Sequence, residues 1–186
     1  MNIVKTPLAG VLEIRPQVFE DERGDFFENY NEKKLESAGI PRIFPLEFQS
    51  TSKKGVLRGM HFQKNPFAQG KLVRVVCGKV LDVVVDIRKN SQTYGKWASF
   101  TLSAENKKML WIPVGFAHGF LSLEDDTIMI YKLTNTYNNE SESGLMWNDP
   151  DLKIYWQLEA LGIKEVTLSE KDKKYDSFKK IGDLFS

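Results

Sequence analysis

The sequence is short of the residues that build most disulfide, metal and cofactor sites. A single cysteine, Cys77, stands among 186 residues, which excludes an internal disulfide framework and fits a reducing compartment. The two histidines, His61 and His118, are too few for the three-imidazole metal cage common in small β-barrels. A mixed site of two histidines and carboxylates stays open, but His61 sits in GMHFQ with no His or Glu at alternating spacing on its strand, so no metal is expected. Charge of one sign is also lacking. Lys+Arg 26 against Asp+Glu 25 leaves a net charge of +1, so no global field would hold nucleic acid, and an anionic ligand must meet a local cluster. No run approaches the roughly 20 apolar residues of a membrane-spanning helix. The opening MNIVKTPLAGVLEIRP shows no basic leader before a long apolar stretch, so a soluble, cytoplasmic protein is expected. Neither standard spacing of a glycine-rich phosphate loop occurs, which counts against a dinucleotide or P-loop enzyme.

What is present is β texture. The chain is 41% hydrophobic, enough for one core, and its length implies a single domain over residues 1–186. KLVRVVCGKVLDVVVDIR, from Lys71 to Arg88, reads as two valine-rich strands joined as a hairpin near Cys77-Gly78. Further runs lie at Val11–Pro16, Phe26–Tyr30, Val56–Phe62, Trp97–Leu102, Met109–Ile112, Gly119–Leu123 and Thr127–Leu133. Helical candidates are two: Asn31–Ala38, with an Asn cap and Gly39 as its stop, and a short one after Ser169. Many short strands with few helices predict an all-β sandwich or small barrel.

Singly, the residues that could carry chemistry have bland readings. Strict alternation in GVLRGMHFQ puts Leu57, Gly59 and His61 on one face and Arg58, Met60 and Phe62 on the other. His61 is a side chain easily tuned to accept a proton, although a lone strand histidine is more often structural. The glycine beside it leaves space for a ligand. Lys71 reads as a solvated edge residue or as a cation aimed into a pocket. His118 lies in apolar WIPVGFAHGFLSL, Tyr131 in TIMIYKL and Asp172 in SEKDKKY. Their defaults are a buried structural histidine, a core aromatic and a solvated carboxylate. Cys77, on a valine-rich strand, reads as a small hydrophobe.

Taken together, DERGDFFENYNE, KGVLRGMHFQ, QGKLVRVVCGKVLDVVVDIRKNSQTYGKW, WIPVGFAHGFLSL, YKLTNTY, ESGLMWNDPDLKIYW and LSEKD resemble, in order, the dTDP-4-dehydrorhamnose 3,5-epimerase family of the cupin superfamily. The resemblance implies a double-stranded β-helix (jelly roll) with a few short helices, and a homodimer acting without a cofactor on a nucleotide-diphospho-4-keto-6-deoxyhexose. It also implies roles: His61 as general base, oriented by Asp172; Tyr131 as the acid on the opposite ring face; Lys71 as the stabiliser of the oxyanion. Arg23, Glu28, Arg58, His118, Glu142 and Lys171 would line substrate subsites, with Tyr137 stacking on the base. One element departs. The family's Q-x-N falls here on Leu46 and Phe48, two hydrophobes, which opens the alternatives of another nucleotide or a single-centre epimerase. A binding-only cupin and a metal-dependent cupin are the rivals of other classes.

The chemistry suits these parts. A C4 ketone acidifies the C3 and C5 hydrogens by spreading the resulting charge onto oxygen. Epimerisation then needs a base on one face, a cation near the oxygen and a proton source on the other face.

Overall fold

The computed structural model describes residues 1–182, 184 and 185. The chain opens with the antiparallel pair β1 (Asn2–Lys5) and β2 (Leu12–Arg15), then a separate ribbon of β3 (Val18–Asp21) and β4 (Gly24–Phe27). Helix α1 (Glu32–Ser37) leads to β5 (Leu46–Ser52), β6 (Leu57–Gln63), β7 (Lys71–Cys77) and β8 (Lys79–Asp86). After these come β9 (Trp97–Ser103), β10 (Met109–Ile112), β11 (Phe116–Ser122), β12 (Thr127–Leu133) and β13 (Glu142–Gly144). Two antiparallel sheets result, ordered β1-β2-β10-β7-β12-β5 and β13-β6-β11-β8-β9. This is the expected jelly roll.

Period-two alternation assigns each strand face to a layer. Val73 and Val75 of β7, Leu110 of β10 and Met129 of β12 meet Val80 and Val84 of β8, Leu102 of β9 and Phe120 of β11 in the core between the sheets. The intervening residues of β8, Leu81, Val83 and Val85, face a second cluster covered by the C-terminal segment through Leu152, Ile154 and Trp156. Because β8 is buried on both faces, it reads as a continuous apolar run instead of an alternating one. A third cluster seats Leu35 of α1 and Ile40 on the outer face of the six-stranded sheet, against Leu72, Met109 and Trp111.

Two expectations need correction. The valine-rich runs β7 and β8 do not form a hairpin. Each joins a different sheet, β7 between β10 and β12 and β8 between β11 and β9. The single residue between them, Gly78 at φ +75°, turns a corner so tight that a Cβ there would lie 2.3 Å from Thr127 Oγ1. One residue cannot form a two-residue hairpin loop, but a glycine corner lets a strand switch sheets.

The alternation expected along β6 also fails. Arg58 pairs with Phe120 and His61 with His118, so Gly59 and Met60 together oppose Gly119 alone. This bulge inverts the facing: Met60 joins Leu57 in the cluster under the C-terminal segment, while Arg58 and His61 share the other side. Gly59 is needed for that approach and not to leave ligand space. At φ +134° its Cβ would stand 2.4 Å from Gly119 Cα.

Helix α1 begins as expected, with the Asn31 side chain accepting the Lys34 N–H at 3.1 Å and Gly39 at φ +81° ending it. The segment after Ser169 forms two 3₁₀ turns, Asp172–Lys174 and Phe178–Lys180, in place of an α-helix, and the first N–H of the former donates to Ser169 Oγ at 3.1 Å. β1, β3, β5 and β13 carried no recognised signal, and the run expected at Phe26–Tyr30 falls earlier, as β4.

Candidate active site

A cavity of about 260 Å³ opens where the inter-sheet core turns polar. Parity explains how it is built. On β7, Lys71 shares the inward face of Val73 and Val75; on β12, Tyr131 shares that of Met129; on β11, His118 lies between Phe116 and Phe120. His61 and Arg58 enter from β6 through the bulge, and all five line the cavity. The six-stranded sheet thus supplies Lys71 and Tyr131, and the five-stranded sheet supplies His61, Arg58 and His118.

His61 is held by a carboxylate. Its Nε2 lies 2.7 Å from Asp172 Oδ1, while Asp172 Oδ2 accepts the Gly59 N–H at 3.3 Å. The imidazole is 29% exposed and the carboxylate 3%, so the ring reaches the cavity and its partner stands behind it. Burial alone would raise the Asp172 pKa, but the bonds from His61, Gly59 and Ser169 outweigh it and hold the carboxyl below its usual range. An ionised carboxylate at Nε2 fixes that nitrogen as the N–H donor and leaves Nδ1 as the free base. Asp172 is delivered by the C-terminal segment, which is stitched to β6 by Leu57 N–H to Thr167 O at 3.0 Å and Thr167 N–H to Gly55 O at 2.9 Å. A residue expected to be solvated is therefore buried.

A second His–Asp pair lies on the cavity floor and has the opposite character. His118 Nε2 and Asp82 Oδ2 are 2.8 Å apart, with side chains 3% and 0% exposed. Burial pushes the Asp82 carboxyl up and the His118 imidazole down, so this pair favours its neutral form. Asp82 was not anticipated, yet its signal was present. It shares the inward parity of Val80 and Val84, an aspartate in the middle of a core-facing valine run.

Lys71 is no edge residue, because β7 is an interior strand. Its Nζ donates to His61 O at 3.1 Å. Burial brings its pKa down to about 8, opposed by the Glu142 carboxylate and, when ionised, by Asp82. Tyr131 bonds to Ser50 Oγ at 2.8 Å, and burial raises its pKa, so the phenol stays protonated. Ser50 also went unanticipated, and no pattern in PLEFQSTSKKG marks it.

At the rim, Glu142 accepts from Tyr137 OH at 2.7 Å and from Lys171 Nζ. Burial opposes ionisation of Glu142, but these bonds keep its pKa lowered. Tyr137 lies edge-on to Phe48, with ring centroids 6.4 Å apart, and both line the cavity. Phe48 therefore occupies the rim, whereas Leu46 pairs with Leu133 at the strand end and does not line it. Lys171 reaches the site only through Glu142. Arg23 and Glu28 are not brought to this cavity: Arg23 pairs with Asp21 on the exposed ribbon, and Glu28 with Lys34 beside α1. Among the described residues, no group of three or more His, Cys, Asp or Glu is arranged to hold a metal ion.

A jelly roll whose one sheet carries a histidine backed by a carboxylate, and whose other sheet carries a protonated phenol, has the parts to move protons across a molecule bound between them. A family model described as dTDP-4-dehydrorhamnose 3,5-epimerase matches residues 5–180. The dTDP-4-dehydrorhamnose 3,5-epimerase of Shigella flexneri is 49% identical over 92% of this chain and 93% of its own length. The crystal structure of the enzyme of that name from Elizabethkingia anophelis has a TM-score of 0.89 at 49% identity, covering 96% of this chain and 97% of that one. The dTDP-6-deoxy-D-glucose-3,5-epimerase of Legionella pneumophila, solved in complex with dTDP-4-keto-L-rhamnose, has a TM-score of 0.90 at 43% identity over 97% and 94% of the two chains. The chain belongs to the dTDP-4-dehydrorhamnose 3,5-epimerase family.

Proposed function

We propose that residues 1–186 act as a single cupin-like epimerase domain that inverts C3 and C5 of dTDP-4-dehydro-6-deoxy-D-glucose, giving dTDP-4-dehydro-L-rhamnose. His61 takes the proton from carbon, and the electron pair left behind moves onto O4 as an enolate. The adjacent Lys71 ammonium stabilises that oxygen where charge develops. Tyr131 returns a proton to carbon from the opposite face. Asp172 holds the tautomer and favours the imidazolium as it forms. His118, Arg58, Glu142, Lys171 and Tyr137 contact the sugar, diphosphate and base. The observation that carries this reading is that His61, backed by Asp172, and the Tyr131 phenol line one cavity from opposing sheets.

Arg23 and Glu28 keep substrate roles only if the exposed ribbon serves a cavity other than the one in its own chain. A homodimer would provide one, and sedimentation equilibrium tests for it. The chain is proposed to work in the cytoplasm; no helix among the described residues is long and apolar enough to cross a membrane.

Incubation with dTDP-4-keto-6-deoxyglucose in D₂O, followed by NMR, tests the function. Deuterium at both C3 and C5 supports it. Label at one carbon supports a single-centre epimerase, a reading favoured by the hydrophobic Phe48 at the rim. No label rejects this substrate.

A further inference from the structure

One aromatic beside the base has no part in the chemistry so far. Tyr175 directly follows the 3₁₀ turn that delivers Asp172. Its ring meets the His61 ring edge-on, with centroids 5.7 Å apart and planes at 69°. It can lie there because Gly144, the cross-strand partner of His61, has no side chain. A Cβ on Gly144 would come within 2.5–2.6 Å of three Tyr175 ring atoms. The backbone locks the ring in this notch, since Met146 N–H donates to Asp176 O at 2.9 Å. The Tyr175 hydroxyl is buried and has no hydrogen-bond partner among the described residues, so the ring and not the hydroxyl makes the contact.

We infer that Tyr175 is a positioning residue for the catalytic base: its ring fills the Gly144 notch and braces the His61 imidazole in the orientation that faces both Asp172 and the cavity. One turn of chain then holds the imidazole twice, by a carboxylate at Nε2 and by an aromatic edge against the ring. Tyr175 does not line the cavity, so its loss should alter proton transfer and leave substrate binding alone.

This inference rests on the proposed epimerase reading, so the parent's exchange of deuterium into substrate is the control. No exchange by the parent would defeat that reading, whereas the comparisons below judge Tyr175. Tyr175→Ala should lower kcat about ten- to hundredfold, the scale of a small misplacement of a catalytic group, with KM within about twofold of the parent. Tyr175→Phe should restore kcat and melt no lower than the parent, because it removes an unpartnered buried hydroxyl. Gly144→Ala should push the ring aside and reproduce the kcat loss. Gly144 does not have a positive φ, so the ring is the obstacle to that methyl group. In the Tyr175→Ala background Gly144→Ala should add nothing, because the clashing ring is gone. Loss of activity in Tyr175→Phe, effects that add in the double variant, or a change confined to KM would each overturn the assignment.

Discussion

Asp172→Asn tests the base most directly, because it keeps the shape of the side chain and removes its charge. The carboxylate is 3% exposed, lies 2.7 Å from His61 Nε2 and accepts the Gly59 N–H. A hydrogen bond to a charged group contributes about 1.5–3 kcal/mol, which corresponds to roughly 10- to 150-fold in rate at about 1.4 kcal/mol per decade. The amide can also donate to Nε2, which would move the proton to Nδ1 and disable the atom that faces substrate. The ceiling is then the whole contribution of general base catalysis, about 10²–10⁴. Deuterium exchange at C3 and C5 should therefore slow by at least about 10-fold and at most about 10⁴-fold, with KM little changed. The acid side of the stability curve should change as well. The folded carboxyl titrates below its ordinary value of 3.8, so its stabilisation is present above that pH and is lost as pH falls through the folded value. The Asn variant should lose less stability than the parent on acidification below about pH 4. Exchange within threefold of the parent, together with an unchanged acid limb, would refute the reasoning.

Tyr131→Phe should abolish net epimerisation by about 10² or more, as loss of a general acid does, while His61 still exchanges the first proton; turnover and deuterium uptake measured on one sample separate the two. Activity should fall as pH rises through about 8, where Lys71 loses its proton, and Lys71→Arg should move that limb to higher pH in a kcat/KM profile. Because the folded Lys71 value lies below 10.5, the charged form is penalised below about pH 8 and the penalty is relieved between pH 8 and 10.5. Lys71→Met should therefore raise Tm by a few degrees near pH 7 while removing activity, and that gain should shrink across the same window. Gly59→Ala combines a positive φ with a backbone clash and should destabilise by about 3 kcal/mol or more, visible as a lowered urea midpoint or as insoluble protein.

The sequence made legible those features that depend on local pattern. Strands carried by β-branched runs, the Asn31 cap and the order of the motif blocks all follow from neighbours along the chain. The pairing of strands does not. Nothing in KLVRVVCGKVLDVVVDIR tells a hairpin from a sheet-switching corner, because both place a glycine between two apolar runs, and the choice is made by partner strands outside the segment, β10 and β12 for β7 and β9 and β11 for β8. The β6 bulge was hidden for the same reason: its extra residue exists only relative to Gly119 on the facing strand. Asp82 was readable in principle. With the face of Val80 and Val84 assigned inward, an aspartate between them must be buried and therefore paired. Tyr175 and Ser50 matter only through contacts that no spacing encodes.

The two His–Asp pairs show why this fold suits the chemistry. His61 and His118 are cross-strand neighbours, so a single sheet face presents two imidazoles with carboxylate partners, distinguished by depth and by the origin of the carboxylate. The outer pair takes its carboxylate from a C-terminal segment, where Asp172 also meets the Gly59 N–H of β6 and the Ser169 hydroxyl, so its charge is tolerated there. The inner pair takes its carboxylate from the centre of a valine strand, where burial favours neutrality, and Asp82 Oδ1 has no partner among the described residues. The carboxylates of two similar pairs one strand apart are thus shifted in opposite directions, Asp172 down and Asp82 up. The cavity floor thus offers a polar surface on which burial disfavours charge, with Lys71 and Arg58 as the cations lining the same cavity. Exchange of the bulged strand for a regular one would turn His61 towards the buried cluster under the C-terminal segment, so the single extra residue at Gly59–Met60 is what brings His61 into the cavity with Lys71 and Tyr131.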